Sequence, residues 1–159
     1  MDQDVESKVI IADYEDRYAA AFAELNYAWI EKYYSVEPHD REILDDPLNY
    51  IIYSGGHIFF ALLEDRPIGT VALLKAGDRS FELAKMAVSP EAQGRGVGAR
   101  LIDACIDYAA TTGKAEIFLE SNTRQEAALH LYRKAGFQET DLDPNSLYSR
   151  ANIRMRLAL

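Results

Sequence analysis

The sequence predicts an α/β fold of the α+β kind, a mixed and mostly antiparallel sheet with one parallel strand pair and helices packed against it. Three observations lead there. The apolar runs His57–Glu64, Ile68–Lys75 and Phe81–Val88 are separated only by short turn sequences, so they read as an antiparallel meander. A glycine-rich loop then opens into a helical pattern and another apolar run, Ala115–Glu120, a strand–loop–helix–strand unit that supplies a parallel neighbour. Near the end, Ile153, Met155 and Leu157 alternate with Arg154 and Arg156, as a closing strand with one dry face would.

In chain order, Lys8–Ala12 reads as an edge strand and about Tyr14 to Tyr33 as a helix, with Tyr18, Phe22, Leu25, Trp29 and Tyr33 forming one apolar stripe. Ser35 to Asp40 breaks regular structure, and a short helix follows over Asp40–Leu44. Asp45-Asp46-Pro47 and Ser54-Gly55-Gly56 punctuate the path into the meander, whose strands turn at Glu64-Asp65-Arg66-Pro67 and at Ala76 to Ser80. Faces should alternate along Phe81–Val88, placing Glu82, Ala84, Met86 and Val88 on one side and Phe81, Leu83, Lys85 and Ala87 on the other. The next helix runs from about Gly96 to Thr111 and stops at Gly113. Thr123-Arg124-Gln125-Glu126 reads as a capping box for a helix that carries Leu131 and Tyr132 and ends near Gly136. Phe137 begins another strand, and Asp141–Ser146 is turn-rich.

With 159 residues the chain suits a single domain over 1–159 that buries a core without staples, and no internal repeat or linker interrupts it. The one cysteine, Cys105, lies on an apolar helix face and reads as a structural thiol. His39 has no second His or Cys at ligand spacing, so no metal is expected. A net charge of −9 argues against nucleic acid, which selects basic surfaces, and is compatible with steering of a cationic substrate. The start of the sequence is acidic and no run is long enough to cross a bilayer, so the expected compartment is cytoplasmic, with no membrane partner.

Function is concentrated between Phe81 and Arg100. Gly94, Gly96 and Gly98 let backbone approach an anion closely, and the helix that begins there offers unpaired N–H groups and a positive dipole end. Gly98 is followed by Ala99 and Arg100, without the Gly-Lys-Ser/Thr ending of a nucleoside-triphosphate loop. The spacing of a dinucleotide fingerprint is also missing.

Gln93-Gly94-Arg95-Gly96-Val97-Gly98 fits the Q/R-x-x-G-x-G/A signature, and here the sequence resembles the GNAT superfamily of N-acetyltransferases. The resemblance continues through Leu119-Glu120-Ser121-Asn122 and an LYxKxGF-like helix from Ala128 to Phe137, covering roughly Phe81 to Gln138. It implies a GNAT-like sheet whose parallel pair splays at an acetyl-CoA site. It implies that Gln93, Gly94, Arg95, Gly96, Val97 and Gly98 hold the pyrophosphate, while Met86, Ala87, Val88 and Asn122 meet the pantetheine arm and Tyr132 lies near the sulfur. It also implies that Trp29, Glu31, Tyr33 and Tyr34, in the first helical region, border the acceptor. A homodimer would be in keeping with it.

The chemistry asks for three groups. An ammonium must lose a proton, the carbonyl oxygen needs a donor, and the departing thiolate benefits from a proton. Under the resemblance, Tyr132 supplies the last, a backbone N–H of Ala87 or Val88 the second, and Glu82 the first, with Glu120 or a water relay as alternatives. The expected reaction is direct transfer from acetyl-CoA to a primary amine of a small molecule or peptide in a ternary complex. The alternative is a non-catalytic acyl-CoA-binding or sensing module.

Overall fold

Strands β2 (His57–Leu63), β3 (Arg66–Ala76) and β4 (Ser80–Val88) pair as antiparallel neighbours because so little chain separates them. Glu64 and Asp65 take the β2–β3 turn at φ of 51° and 64°, the twist-matched geometry of a two-residue hairpin. β1 (Val9–Asp13) joins the outer edge of β2. On the other side, β5 (Glu116–Ser121) lies parallel to β4, and β7 (Ile153–Ala158) fits between β5 and β6 (Gln138–Thr140), giving the order β1-β2-β3-β4-β5-β7-β6. The computed structural model describes residues 8–159; the first seven, read above for charge alone, lie outside the described residues.

Helices cover both faces. α1 (Ala19–Tyr33), entered through a 3-10 turn at Asp16–Tyr18, and α2 (Pro38–Leu44) cover one face; α3 (Val97–Thr111) and α4 (Glu126–Ala135) cover the other. Phe22, Ile30 and Ile43 therefore meet Ile58, Phe60 and Leu62 on the first side. Leu101, Ile102 and Cys105 meet Val71, Leu73, Phe81 and Ile117 on the second. A β2 that buries side chains on both faces explains the unbroken apolar run at Ile58–Leu62. Among the described residues, no helix is long and apolar enough to cross a membrane.

Two local expectations are corrected. The buried row of α1 is Tyr18, Phe22, Asn26 and Ile30, whereas Leu25 and Trp29 are half-buried and Tyr33 is exposed. Asn26 enters the core because its amide donates to the Phe22 carbonyl at 3.0 Å, which rotates Trp29 and Tyr33 out of the packed row. The capping box before α4 does not form. Asn122 Oδ1 accepts from the Arg124 N–H at 2.9 Å and Asn152 Oδ1 from the Thr123 N–H at 2.9 Å, so asparagines take the turn donors and the helix starts at Glu126.

Gly56 is where the turn before β2 presses against β3. A Cβ there would lie 2.3 Å from the Leu73 carbonyl oxygen and 3.0 Å from Ile51. Gly56→Ala is expected to lower unfolding free energy by about 1–3 kcal/mol in urea titration, since backbone must move to admit the methyl group.

Candidate active site

β4 and β5 run side by side only from Ser80–Glu82 against Glu116–Phe118. Beyond Glu82, β4 continues to Val88 with no partner on its β5 side. The cause lies in β4 itself. Thr70 and Ala72 of β3 face Ala87 and Ala84, so β4 carries one extra residue, and Lys85 absorbs it at φ of 56°. A bulge bends the strand that carries it and here opens the sheet.

The bulge also overturns the expected alternation. Glu82 and Ala84 face α1, but past Lys85 the phase slips: Ala87 sits opposite Thr70, while Met86 and Val88 pack toward the α3 core. Lys85 itself reaches toward α2.

A 3-10 turn at Pro90–Ala92 leads from the splay into the glycine loop. Gly94 and Gly96 adopt φ of 77° and 79°, and Gly96 stands as the N-cap of α3, so the helix begins with its first N–H groups uncommitted. Gly98 serves differently. A Cβ there would meet Leu131 at 3.0 Å, so its lack of a side chain lets α3 and α4 approach. Gln93 donates from its side-chain amide to the Val88 carbonyl at 3.1 Å, which pins loop to strand.

Splay and loop open on one cavity of about 560 Å³. Of the residues expected to hold the donor, Met86, Val88, Gln93, Gly94, Gly96, Val97, Gly98, Asn122 and Tyr132 line it, as does Glu82. Ala87 and Arg95 do not: the bulge turns Ala87 into the core, and the Arg95 Nε donates back to the Glu91 carbonyl at 3.1 Å. Trp29, Tyr33 and Tyr34 line the opposite wall, but Glu31 points outward, two residues round the helix from both Trp29 and Tyr33. Asn122 is engaged at both ends of its amide, donating to the Arg150 carbonyl at 2.7 Å and accepting from Arg124. Tyr34 spans the cleft, its hydroxyl accepting from Gln125 Nε2 at 3.2 Å.

Burial, and then the negative charge of Glu120, push the Glu82 carboxyl up to about 7, against the opposing pull of Lys85 and Arg154. Ser146 Oγ donates to Glu120 Oε2. Tyr132 is 7% exposed and burial raises its phenol, so it holds its proton throughout the neutral range. Burial likewise raises the Cys105 thiol, which lies in the α3 core.

Several residues that shape the cavity escaped sequence reading. Asp40, with 0% exposure, accepts from Lys85 Nζ at 2.5 Å, from Arg150 Nη2 at 2.7 Å and from Arg150 Nη1 at 2.9 Å. Burial alone would raise Asp40, but the bonds from Arg150 and Lys85 outweigh it and hold the carboxyl well below the usual range. Arg150 also reaches Glu37 at 3.0 Å. Tyr148 stacks under both cations, 4.5 Å from Lys85 Nζ and 4.6 Å from the Arg150 guanidinium carbon, and its buried hydroxyl has no hydrogen-bond partner. The one signal was Lys85, a second charged residue beside Glu82 in a strand of mainly apolar residues. His39 sits beside Tyr50 and Tyr148 with Nδ1 3.2 Å from Glu42, and among the described residues no group of three acidic, His or Cys side chains could hold a metal.

The model of the acetyltransferase (GNAT) family matches residues 11–137. N-acetyltransferase 8B of Rattus norvegicus is 28% identical over 119 residues, covering 71% of this chain and 54% of that protein. The chain spans 27% to 54% of the length of the first curated relatives it matches. Among solved structures, a GNAT-family acetyltransferase from Staphylococcus aureus Mu50 superposes with a TM-score of 0.85 at 20% identity, covering 94% of this chain and 98% of that one. The yncA protein of Salmonella typhimurium, solved with its cofactor acetyl-CoA, gives 0.76 at 20% identity over 95% and 94%. At such identities the structural likeness speaks to the fold.

Removing Asp40 would leave the buried Lys85 ammonium without its anion and the half-buried Arg150 with Glu37 alone. Asp40→Ala is expected to cost about 3–5 kcal/mol in chemical denaturation. Because the folded pKa of Asp40 is depressed, its contribution is present above the ordinary carboxylate pKa and fades as pH falls. The variant should therefore lose part of the wild type's stability decline below about pH 4.

Proposed function

The chain belongs to the GNAT acetyltransferase family, and on that premise we propose that it transfers the acetyl group of acetyl-CoA to a primary amine by direct attack while both are bound. One observation carries the reading: Glu82, a carboxylate titrating near 7, stands where β4 and β5 part, in the same cavity as the glycine loop and Tyr132.

The residues fit the donor. Positive-φ glycines, the open first turn of α3 and the unpaired edge of β4 offer N–H groups to a pyrophosphate and a pantetheine arm. Acetyl-CoA, when bound, supplies the acetyl group as a thioester. Glu82 takes the amine proton, being substantially ionised at neutral pH yet basic enough to accept it. Backbone N–H groups beyond the bulge polarise the carbonyl oxygen. Tyr132, a phenol kept neutral by burial, gives its proton to the departing sulfur. Cys105 lies within the α3 core, which disfavours an acetyl-cysteine route. The same reading takes residues 1–159 as one domain, since the cavity draws walls from α1 at one end and Arg150 near the other.

Release of CoA thiol, followed across about pH 6 to 9 with a panel of amines, tests this. Wild-type kcat should show an inflection near pH 7 that Glu82→Gln removes, with kcat lowered by about two orders of magnitude and CoA affinity retained. An unaltered profile in that variant would remove Glu82 as base. Tyr132→Phe should slow turnover at unchanged CoA affinity; unchanged turnover would remove the acid. Stability should move the other way. With its folded pKa above the unfolded value, Glu82 makes stability fall as pH rises from the usual carboxylate range to about 7, so Glu82→Gln is expected to raise Tm at alkaline pH.

A further inference from the structure

We infer that the acceptor is a diamine or polyamine without a carboxylate, its reacting nitrogen delivered to Glu82 and its second charge held by Glu120. This rests on the acetyltransferase reading and narrows it to a substrate class.

Of the charges that line the cavity, the cations Lys85 and Arg150 are already matched, and Arg154 lies outside that lining. Lys85 is paired with Asp40, Arg150 with Asp40 and Glu37, and Arg154 with Asp143 at 3.8 Å while it covers the Phe118 ring. An acceptor bearing a carboxylate beside its amine, as a free amino acid does, would have to draw Arg150 or Lys85 away from a fully buried aspartate. Such an acceptor would also bring its negative charge up to two glutamates.

Those glutamates are the opposite case. Among the described residues, neither Glu82 nor Glu120 takes part in a salt bridge, although both line the cavity. Glu120 is oriented by the Ser146 hydroxyl, a neutral donor that fixes the carboxylate without cancelling its charge. The two carboxylates are close enough for Glu120 to help raise Glu82. A dication places one charge against each carboxylate; a monocation leaves one of them unmatched. The reacting ammonium gives one proton to Glu82; as its lone pair forms the C–N bond and the C–S bond breaks, its second proton passes to the departing CoA sulfur through Tyr132, while the other nitrogen stays protonated against Glu120.

The rest of the wall agrees. Tyr148 presents a buried hydroxyl with no partner, able to accept from an ammonium or amine N–H. Trp29, Tyr33 and Tyr34 line the cavity with apolar surface suited to a methylene chain. The net charge of −9 favours approach of a polycation.

Cadaverine, pentylamine and lysine form a matched set. Pentylamine lacks the second charge of cadaverine, and lysine adds a carboxylate to it. CoA-thiol release by the full chain should give a kcat/KM for cadaverine about tenfold or more above each of the other two. Glu120→Gln should remove the advantage over pentylamine mainly through KM, retain CoA affinity, and move the Glu82 inflection to lower pH. A merely structural role for Glu120 would instead depress both amines together. Lysine or pentylamine matching cadaverine, or a Glu120→Gln enzyme with its preference intact, overturns the inference while the acetyltransferase reading stands. Tight acetyl-CoA binding with no thiol release from any amine, a lysine-containing peptide included, overturns both.

Discussion

One extra residue in β4 governs this molecule. A parallel pair holds only while both strands keep step, and the bulge at Lys85 takes β4 out of step beside the point where its pairing with β5 stops. Three results follow from that one residue. The sheet opens into a cleft with unpaired backbone on its β4 edge, Met86 and Val88 turn to the α3 side, and a lysine is sent across the opposite face toward α2. The two faces of the strand past Glu82 are thus set by a local change of phase.

Electrostatics divides the cavity in the same way. Burying Lys85 and Arg150 would be costly alone, and Asp40 offsets that cost with bonds to both, supported by the Glu37 N–H at 2.8 Å. Glu82 and Glu120 take part in no salt bridge among the described residues, and burial together with the charge of Glu120 brings Glu82 up to about 7. A site that satisfies its cations internally and leaves its acids unmatched is selective before any substrate shape is considered.

What could be read from the sequence was what local geometry dictates. Gly94 and Gly96 signalled a loop because their positive φ belongs to glycine, and the strands declared themselves through unbroken or alternating apolar runs. Of the residues to which the family resemblance pointed, Glu82, Tyr132 and most of the glycine loop line the cavity, while Ala87, Arg95 and Glu31 do not. What escaped notice has no local signature. Asp40 meets Lys85 across 45 residues and Arg150 across 110, and no spacing rule joins such positions. The bulge left a single trace, Lys85 as a second charged residue in a mainly apolar strand, which alternation alone files on the wrong face. Asn26 misled for a similar reason: a polar side chain that satisfies itself on the Phe22 carbonyl is invisible to a count of hydrophobic spacing.

The Asp40 junction also bears on how such a protein can diverge. One side chain fastens both α2 and the segment leading into β7, while the glycine loop is held by backbone geometry and by Gln93. Replacing the late segment without a new arginine would take one of two cations from the buried Asp40 and leave Lys85 alone to match it, so α2 and that segment are coupled. The late segment is tied to the end of β5 as well, through the Arg150 carbonyl and Asn122, so a change at this junction reaches both walls of the cleft.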